Sequence, residues 1–123
     1  MFNVEISENC KKQFINLEKK AKLGNLSKSE MIFLKRFCRC IFKMIENPYN
    51  SILRTSILYS AKSFLKQIDT GKENCYHSYL ENHSGVTRRV FWYPESEDTV
   101  KIVGVFNHLK SVNSSIKFQS LKF

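Results

Sequence analysis

The stretch "GVTRRVFWYPESEDTVKIVGVFNHLK", residues 85–110, has the pattern of a β-hairpin and carries most of the information about the fold. In its first run, Arg88, Val90 and Trp92 alternate with Arg89, Phe91 and Tyr93. The second run also alternates, and the acidic segment between the two, residues 94–98, is short enough to form a turn. We therefore predict two antiparallel strands, with arginines where the first begins and His108 and Lys110 where the second ends.

A third strand is predicted immediately before this hairpin. The run "CYHSYLEN", residues 75–82, alternates in the same way and is followed by a short loop. Strands over residues 75–81, 87–93 and 100–106 would then form an antiparallel meander. We predict that one face packs into the core, through Leu80, Val90, Trp92, Val103 and Val105. The opposite face would carry Tyr79, Glu81, Arg89, Phe91, Tyr93 and His108.

Two helices are predicted before the meander. From residue 8 to 23 the apolar positions recur at helical spacing, and Gly24 followed by Asn25 is a typical C-terminal stop. Ser27 and Glu30 then form a capping-box pattern that opens a longer helix, which ends before Pro48. The apolar stripe predicted for this second helix is Met31, Leu34, Phe37 or Cys38, Ile41 and Ile45. The short connection predicts an antiparallel helix hairpin over residues 8–47.

These elements predict a single α+β domain over residues 1–123, with the N-terminal helix hairpin packed on a twisted antiparallel β-sheet. A short strand, "FNVEI", precedes the helices, with Phe2, Val4 and Ile6 on one face. The segment from residue 51 to 69 is compatible with a helix, or with a strand followed by a helical turn, and this choice stays open. The period changes from helical to alternating only after Gly71.

The charge balance indicates an anionic partner. The chain has 123 residues, with 20 lysines and arginines against 11 acidic residues, a net charge of +9. Such a surface attracts phosphate backbones or acidic proteins, although a basic protein without any nucleic-acid partner has the same composition. Four basic residues project from the second helix and are interpreted as a solvated face rather than as nucleic-acid contacts: Lys35, Arg36, Arg39 and Lys43.

The N-terminus lacks the features of a signal peptide, and no segment is long and apolar enough to span a bilayer. We therefore expect a cytoplasmic protein that does not contact a membrane. Cysteines stay reduced in that compartment, and the spacing of Cys10, Cys38, Cys40 and Cys75 does not provide two ligand pairs for zinc. Buried thiols are the preferred interpretation, and neither a metal nor a cofactor is expected.

The second face of the meander combines the group types needed for metal-free RNA cleavage. This reaction needs a base for the 2′-hydroxyl, a cation beside the phosphorus and an acid for the departing 5′-oxygen. Arg89 is the candidate cation, Glu81 or His83 the base, and His108 the acid. The candidate RNA-binding residues are Arg54, Arg88, Tyr79, Tyr93 and Lys110. Aromatic residues on a sheet are also common packing residues, so the composition of this face does not by itself establish catalysis.

The order of the elements resembles the RelE/ParE superfamily of bacterial type II toxins, of the plasmid-stabilisation type, over residues 1–110. The segments that carry the resemblance are "ENPYNSILRT", residues 46–55, and "SYLENHSGVTRRVFW", residues 78–92. The resemblance implies a toxin that cleaves mRNA, with or without the ribosome, or that poisons gyrase, and that a cognate, acidic antitoxin holds in check. A small basic binding protein unrelated to toxins is the third hypothesis.

The resemblance also implies roles for particular residues. Arg89 falls on the arginine that contacts the scissile phosphate in the RNA-cleaving branch, and His108 falls near a catalytic histidine or arginine. Arg54 matches the arginine of the "LRT" element, for which no role is implied. The C-terminal tail, residues 111–123, has no tyrosine where some RNA-cleaving members have a catalytic one, and the lysine cluster of other members has no clear counterpart. Weakened or lost activity is therefore a further alternative.

Overall fold

The computed structural model describes the backbone of residues 1–57, 75–83, 86–110 and 116–120, and the side chains of 1–55, 75–80 and 88–107. Two helices and six strands follow one another along these residues, with a short 3-10 helix at Ser51–Leu53. The helices are α1, Glu8–Lys22, and α2, Lys28–Glu46. The strands are β1, Asn3–Ile6; β2, Ser56–Ile57; β3, Tyr76–His83; β4, Val86–Pro94; β5, Thr99–Lys110; and β6, Ile116–Ser120. The predicted α+β class is confirmed.

The described strands form one sheet in the order β1-β5-β4-β3-β2, and β6 pairs with the C-terminal half of β5. The predicted meander is present, since β3, β4 and β5 pair antiparallel in sequence order. The sheet is nevertheless mixed, because β1 pairs parallel to β5, so the prediction of a purely antiparallel sheet is wrong. A tight turn between two strands forces them to pair antiparallel. Two helices separate β1 from the meander, so this constraint does not act on β1.

Two register shifts interrupt the alternation that the sequence pattern predicts. One lies between Tyr79 and Glu81 in β3, and the other lies opposite Phe91 and Trp92, where β5 contains an extra residue. A β-bulge of this kind moves the following side chains to the other face. Ile102 therefore takes the position in the core cluster that was predicted for Val103.

The ends of the two helices follow the predicted capping signals. Gly24 has φ 69°, and its amide and that of Asn25 donate to carbonyls of the last turn of α1. At the start of α2, Ser27 Oγ accepts a hydrogen bond from the amide of Glu30, and the Glu30 carboxylate accepts one from the amide of Ser27. The hydrogen bond from the Ser27 amide, together with one from Lys20, lowers the pKa of Glu30 to about 2. The helix boundaries are thus determined by local contacts.

The buried face of α2 differs from the predicted stripe. The residues buried on this helix are Phe33, Phe37, Cys40 and Met44. Met31 is 47% exposed, and Cys38 is also exposed, although both were predicted inside. Apolar residues occur on almost every side of α2, so their spacing does not select one face. The packing of α2 against α1 and the sheet makes that selection.

Trp92 anchors the core, as predicted, and connects three segments of the chain. Its ring is fully buried and stacks on Tyr76 with 4.8 Å between centroids. Its indole N–H donates to Ser78 Oγ at 2.8 Å. Ser78 and Thr55 share a 2.7 Å hydrogen bond, and the Thr55 hydroxyl donates to the carbonyl of Pro48. This chain of hydrogen bonds attaches the segment after α2 to the sheet.

Three of the four cysteines are buried thiols, as predicted, namely Cys10, Cys40 and Cys75. Burial raises the pKa of each of these thiols to about 12, so they stay protonated at neutral pH. The prediction is wrong for Cys38, which is exposed on α2. Neither α1 nor α2 is long and apolar enough to cross a bilayer, and the same holds for every helix in the described part of the chain.

Candidate functional site

Arg54, Tyr79 and Arg89 form a compact group at one end of the sheet, which we call the arginine cluster. The guanidinium carbon of Arg54 lies 5.3 Å from the centroid of the Tyr79 ring, and that of Arg89 lies 5.0 Å from it. Both distances are within the range of a cation–π contact. The three residues come from the segment before β2, from β3 and from β4, so only the folded chain brings them together.

The β-sheet and a short helical turn position the cluster. Tyr79 and Arg89 are direct cross-strand partners in β3 and β4. Arg54 caps the 3-10 helix with φ 47°, in the left-handed region that side chains other than glycine rarely adopt. Its neighbours are both anchored, Leu53 in the core and Thr55 on Ser78. This anchoring holds the strained backbone that directs Arg54 toward the sheet.

The electrostatics of the cluster favour an anion. Arg89 is half-buried, and this burial lowers the pKa of its guanidinium. Tyr79 raises that pKa, whereas the positive charge of Arg54 lowers it further. The Nε and Nη1 atoms of Arg89 are buried and have no hydrogen-bond partner among the described residues. Arginine stays charged at neutral pH, so the positive guanidinium groups of Arg54 and Arg89 both lie over the Tyr79 ring. A phosphate or carboxylate would neutralise this charge and accept the N–H donors.

A basic groove borders the cluster. It encloses about 290 Å³ between α2, the 3-10 helix and β3, and its lining residues are Arg36, Arg39, Cys40, Lys43, Ile52, Leu53, Tyr79 and Leu80. Tyr79 belongs to both the groove and the arginine cluster. Three of the four basic residues that we predicted as a solvated face of α2 therefore lie along this groove. Tyr79 is the residue that the groove and the cluster share, and we call the two regions together the cationic surface.

Two of the predicted RNA-binding residues do not join this surface. Arg88 lies over the ring of Phe33 in α2, with 5.1 Å between its guanidinium carbon and the ring centroid. Neighbouring residues of a strand face opposite sides of the sheet, so Arg88 lies on the helix side and Arg89 does not. Tyr93 is only 8% exposed, and burial raises the pKa of its phenol. Neither side chain lies with the arginine cluster, and their contact with RNA stays a prediction.

The sheet face opposite the helices is not the open aromatic platform that the alternation predicted. Phe91 is fully buried and Phe106 is 4% exposed, and their rings lie 4.4 Å apart between centroids. Val103 is also buried. Tyr79 and Arg89 remain partly accessible on this face, since both are half-buried.

Four predicted site residues have side chains outside the described residues: Glu81, His83, His108 and Lys110. In the backbone register, Glu81 pairs with Arg88 after the bulge, so the simple alternation that grouped Glu81 with Arg89 is interrupted. His83 pairs with Val86, and Lys110 pairs with Ile116 of β6. His108 follows two residues after Phe106, the partner of Arg89. Their roles in proton transfer and RNA binding stay predictions.

His77 is a candidate that was not singled out from the sequence. It lies two residues before Tyr79 in β3, is half-buried, and contacts the edge of the Phe91 ring at 6.1 Å between centroids. Because His77 pairs with Phe91, it is a diagonal neighbour of Arg89, at about 7–8 Å by sheet geometry. The alternation over residues 75–82 already placed His77 on the same face as Tyr79, and this pattern could have identified His77 as a candidate.

The described residues contain no group of three or more histidine, cysteine or acidic side chains placed to hold a metal ion. Comparison with known proteins finds no matching family model, no matching curated protein and no matching solved structure.

Proposed function

We propose that the protein is a toxin of the RelE/ParE type that binds single-stranded RNA on its cationic surface and cleaves it without a metal ion. The observation that carries the proposal is the convergence of Arg54 and Arg89 on the Tyr79 ring, beside the basic groove. The order on which the resemblance rests, a short strand, a helix hairpin and a meander, supports it. A cognate, acidic antitoxin would counter the net charge of +9.

The ligand that fits this surface is a polyanion rather than a single phosphate. The arginine cluster offers two guanidinium groups, which bind phosphate through paired N–H donors. The basic groove offers three further cations, from Arg36, Arg39 and Lys43. Because Tyr79 joins the two regions, one strand of nucleic acid could place successive phosphates in both. Aromatic and guanidinium planes also stack on the unpaired bases of a single strand.

Cleavage would proceed by attack of the RNA on its own backbone. A base removes the proton of the 2′-hydroxyl, the 2′-oxygen bonds to phosphorus, and the bond to the 5′-oxygen breaks as an acid protonates that oxygen. The products are a 2′,3′-cyclic phosphate and a 5′-hydroxyl. Arg89 would stabilise the charge on the phosphorane. His77 is the described candidate for proton transfer, and Glu81, His83 and His108 are the others.

A second candidate function is a toxin that acts by protein contact, for example on gyrase, without cleaving RNA. One observation favours it: α2 exposes several large apolar side chains, with Met31 at 47%, Ile32 at 40% and Phe42 at 68%. Exposed apolar residues in a group often mark a protein-binding surface.

Induced expression distinguishes the two candidates, because an RNA-cleaving toxin would arrest growth with mRNA cuts that primer extension maps. Arrest without such cuts would support the protein-contact candidate.

Arg54→Ala should weaken binding of a labelled 20-nucleotide single-stranded RNA by about five- to tenfold at moderate salt, because one phosphate contact is lost. The slope of log K against log salt should become shallower by about 0.7, the value for one phosphate of a single strand. Arg54 is exposed, so the fold should be retained. Fluorescence anisotropy over a salt series measures both quantities.

Lys12→Ala provides the matched control for Arg54, since Lys12 is an exposed cation of α1 that lies along neither the groove nor the cluster. An equal loss of affinity in both variants would show that net charge alone attracts RNA, and would contradict a specific role for Arg54.

His77→Gln should slow RNA cleavage about 100-fold if this imidazole transfers a proton. Glutamine keeps a similar size and hydrogen-bonding capacity, so RNA affinity should change little. Cleavage rates across pH 5 to 9 provide the diagnostic measurement, because one limb of the wild-type profile should disappear. An unchanged profile in the His77 variant would assign the proton transfer to another residue.

A further inference from the structure

The start of α1 contacts β5 at the bulge, where that strand contains its extra residue. The pairing with β4 passes from Ile102 directly to Gly104, so Val103 is the extra residue. Ser7, the N-cap of α1, donates its hydroxyl to the carbonyl of Val103 at 3.1 Å. The amide of Ser7 also donates to the carbonyl of Ile102 at 2.9 Å. The cap of the helix therefore holds the bulge directly.

Gln13 of α1 holds β5 two residues further along. Its side-chain amide accepts a hydrogen bond from the Val105 amide at 2.9 Å and donates one to the Val105 carbonyl at 3.0 Å. On the edge of β5 away from β4, β1 pairs with residues 99–102 and β6 with residues 106–110. Gln13 therefore takes the place of a strand residue between β1 and β6. We call Ser7 and Gln13 together the bulge clamp.

Gly104 makes room for this contact, since glycine has no Cβ and permits a close approach. A Cβ atom at Gly104 would lie 2.7 Å from Oε1 of Gln13 and 2.9 Å from the ring of Phe106. Both distances are steric clashes, so alanine at this position would displace the Gln13 amide or the Phe106 ring. The bulge, the glycine and the glutamine thus form one arrangement.

The bulge determines which residue of β5 lies opposite Arg89. With the extra residue in place, Phe106 pairs with Arg89, and its ring packs on Phe91 with 4.4 Å between centroids. Without the extra residue, the pairing would shift by one and Val105 would lie opposite Arg89. Val105 belongs to the core cluster, so this shift would exchange the two faces of β5. Arg89 would lose the aromatic residue opposite it.

We infer that Ser7 and Gln13 are positioning residues for Arg89. By holding the bulge they keep Phe106 opposite Arg89, and this register fixes the half-buried guanidinium that would bind the reacting phosphate. The backbone of His108, two residues after Phe106, depends on the same register. The effect on cleavage rests on the proposed function, whereas the effect on the register does not.

Gln13→Met tests the bulge clamp, because methionine has a similar length but cannot bond to both the amide and the carbonyl of Val105. RNA affinity should change by less than about twofold, since no cation is removed. The rate of cleavage of bound RNA should fall about tenfold or more, because Arg89 is displaced from the phosphate. Lys12→Ala, a change of an exposed residue of α1, is the matched control and should cleave at the wild-type rate.

Ser7 offers a pair of variants that separates the helix cap from the bulge contact. Aspartate at this position can still accept the hydrogen bond from the Cys10 amide, but it cannot donate to the Val103 carbonyl. Threonine keeps both functions. Ser7→Asp should therefore cleave more slowly than the wild type, and Ser7→Thr should recover most of the rate.

A double-mutant cycle separates positioning from general stability. In a protein that carries Arg89→Ala, Gln13→Met should cause no further loss of cleavage, because Gln13 acts through Arg89. A general effect on stability would lower the rate by the same factor with and without Arg89.

Nuclear magnetic resonance tests the register without any RNA. In Gln13→Met the amide of Val105 loses its acceptor and should exchange with solvent about tenfold faster. Nuclear Overhauser contacts between Arg89 and Phe106 should weaken. Gly104→Ala should reproduce both changes, since it displaces the Gln13 amide or the Phe106 ring.

Unchanged exchange of the Val105 amide, with unchanged contacts between Arg89 and Phe106, would overturn the inference in the Gln13→Met protein. Wild-type cleavage by this variant, or an equal loss with and without Arg89, would overturn it as well. If the wild type cuts no RNA but the register changes as expected, the proposed function fails, while control of the register by the bulge clamp stands.

Discussion

Trp92→Ala is expected to unfold the domain. The indole is fully buried, stacks on Tyr76 and contacts the ring of Tyr49. Removing it loses the burial of the ring and leaves a cavity, at a cost of about 3 to 5 kcal/mol. This loss is large beside the roughly 5 to 15 kcal/mol that stabilises a typical domain. Urea denaturation followed by circular dichroism measures the change in the free energy of unfolding.

Trp92→Phe provides the matched control, because it keeps much of the aromatic volume but loses the N–H that donates to Ser78. Its expected cost is smaller than that of the alanine change, since no comparable cavity is formed. A Trp92→Ala protein as stable as the wild type would show that the indole does not support the contact between the sheet and the segment after α2.

Arg89→Ala is expected to slow RNA cleavage by about 100- to 1,000-fold, because the reacting phosphate would lose its nearest buried cation. Two nitrogens of Arg89, Nε and Nη1, are buried and have no hydrogen-bond partner among the described residues. Such donors are suited to bind an oxygen of the substrate phosphate. Alanine removes these donors together with the charge. Cleavage of a defined RNA by the purified protein, mapped by primer extension, measures the effect.

Arg89→Lys separates charge from geometry, since lysine keeps the positive charge but lacks the planar pair of donors. We expect this variant to bind RNA with nearly wild-type affinity and to cleave it slowly. Urea denaturation of both variants controls for folding. Undiminished cleavage by folded Arg89→Ala would exclude Arg89 from the reaction. If the wild type arrests growth without cutting RNA, the second candidate, a toxin that acts by protein contact, is supported instead.

Local signals in the sequence were sufficient to predict the principal elements. Ser27 and Glu30 mark the start of α2, and Gly24 marks the end of α1, because capping groups satisfy backbone atoms only a few residues away. The strands of the meander were also predicted, since alternating apolar residues need only short turns to pair. Trp92 was also placed correctly in the core, because the alternation of this strand puts it on the same face as Val90.

Predictions that depended on unbroken alternation were less accurate. The bulges in β3 and β5 shift the register by one residue, so Ile102 rather than Val103 joins the main core. Burial of Phe91 and Tyr93 likewise depends on the surroundings of the sheet and not on the period of the strand. A pattern with period two defines which residues share a face, but it does not show which of those faces is covered.

The sequence by itself determined the α+β class, the helix ends, the meander and the cationic character of the protein. The tertiary structure alone decided that β1 pairs parallel to β5, that Phe42 stays outside the core, and that Arg54 reaches Tyr79 and Arg89. The physical reason is the range of the interactions. Caps and strand periods act over a few residues, whereas the arginine cluster joins positions 54, 79 and 89, whose proximity depends on how the whole sheet packs.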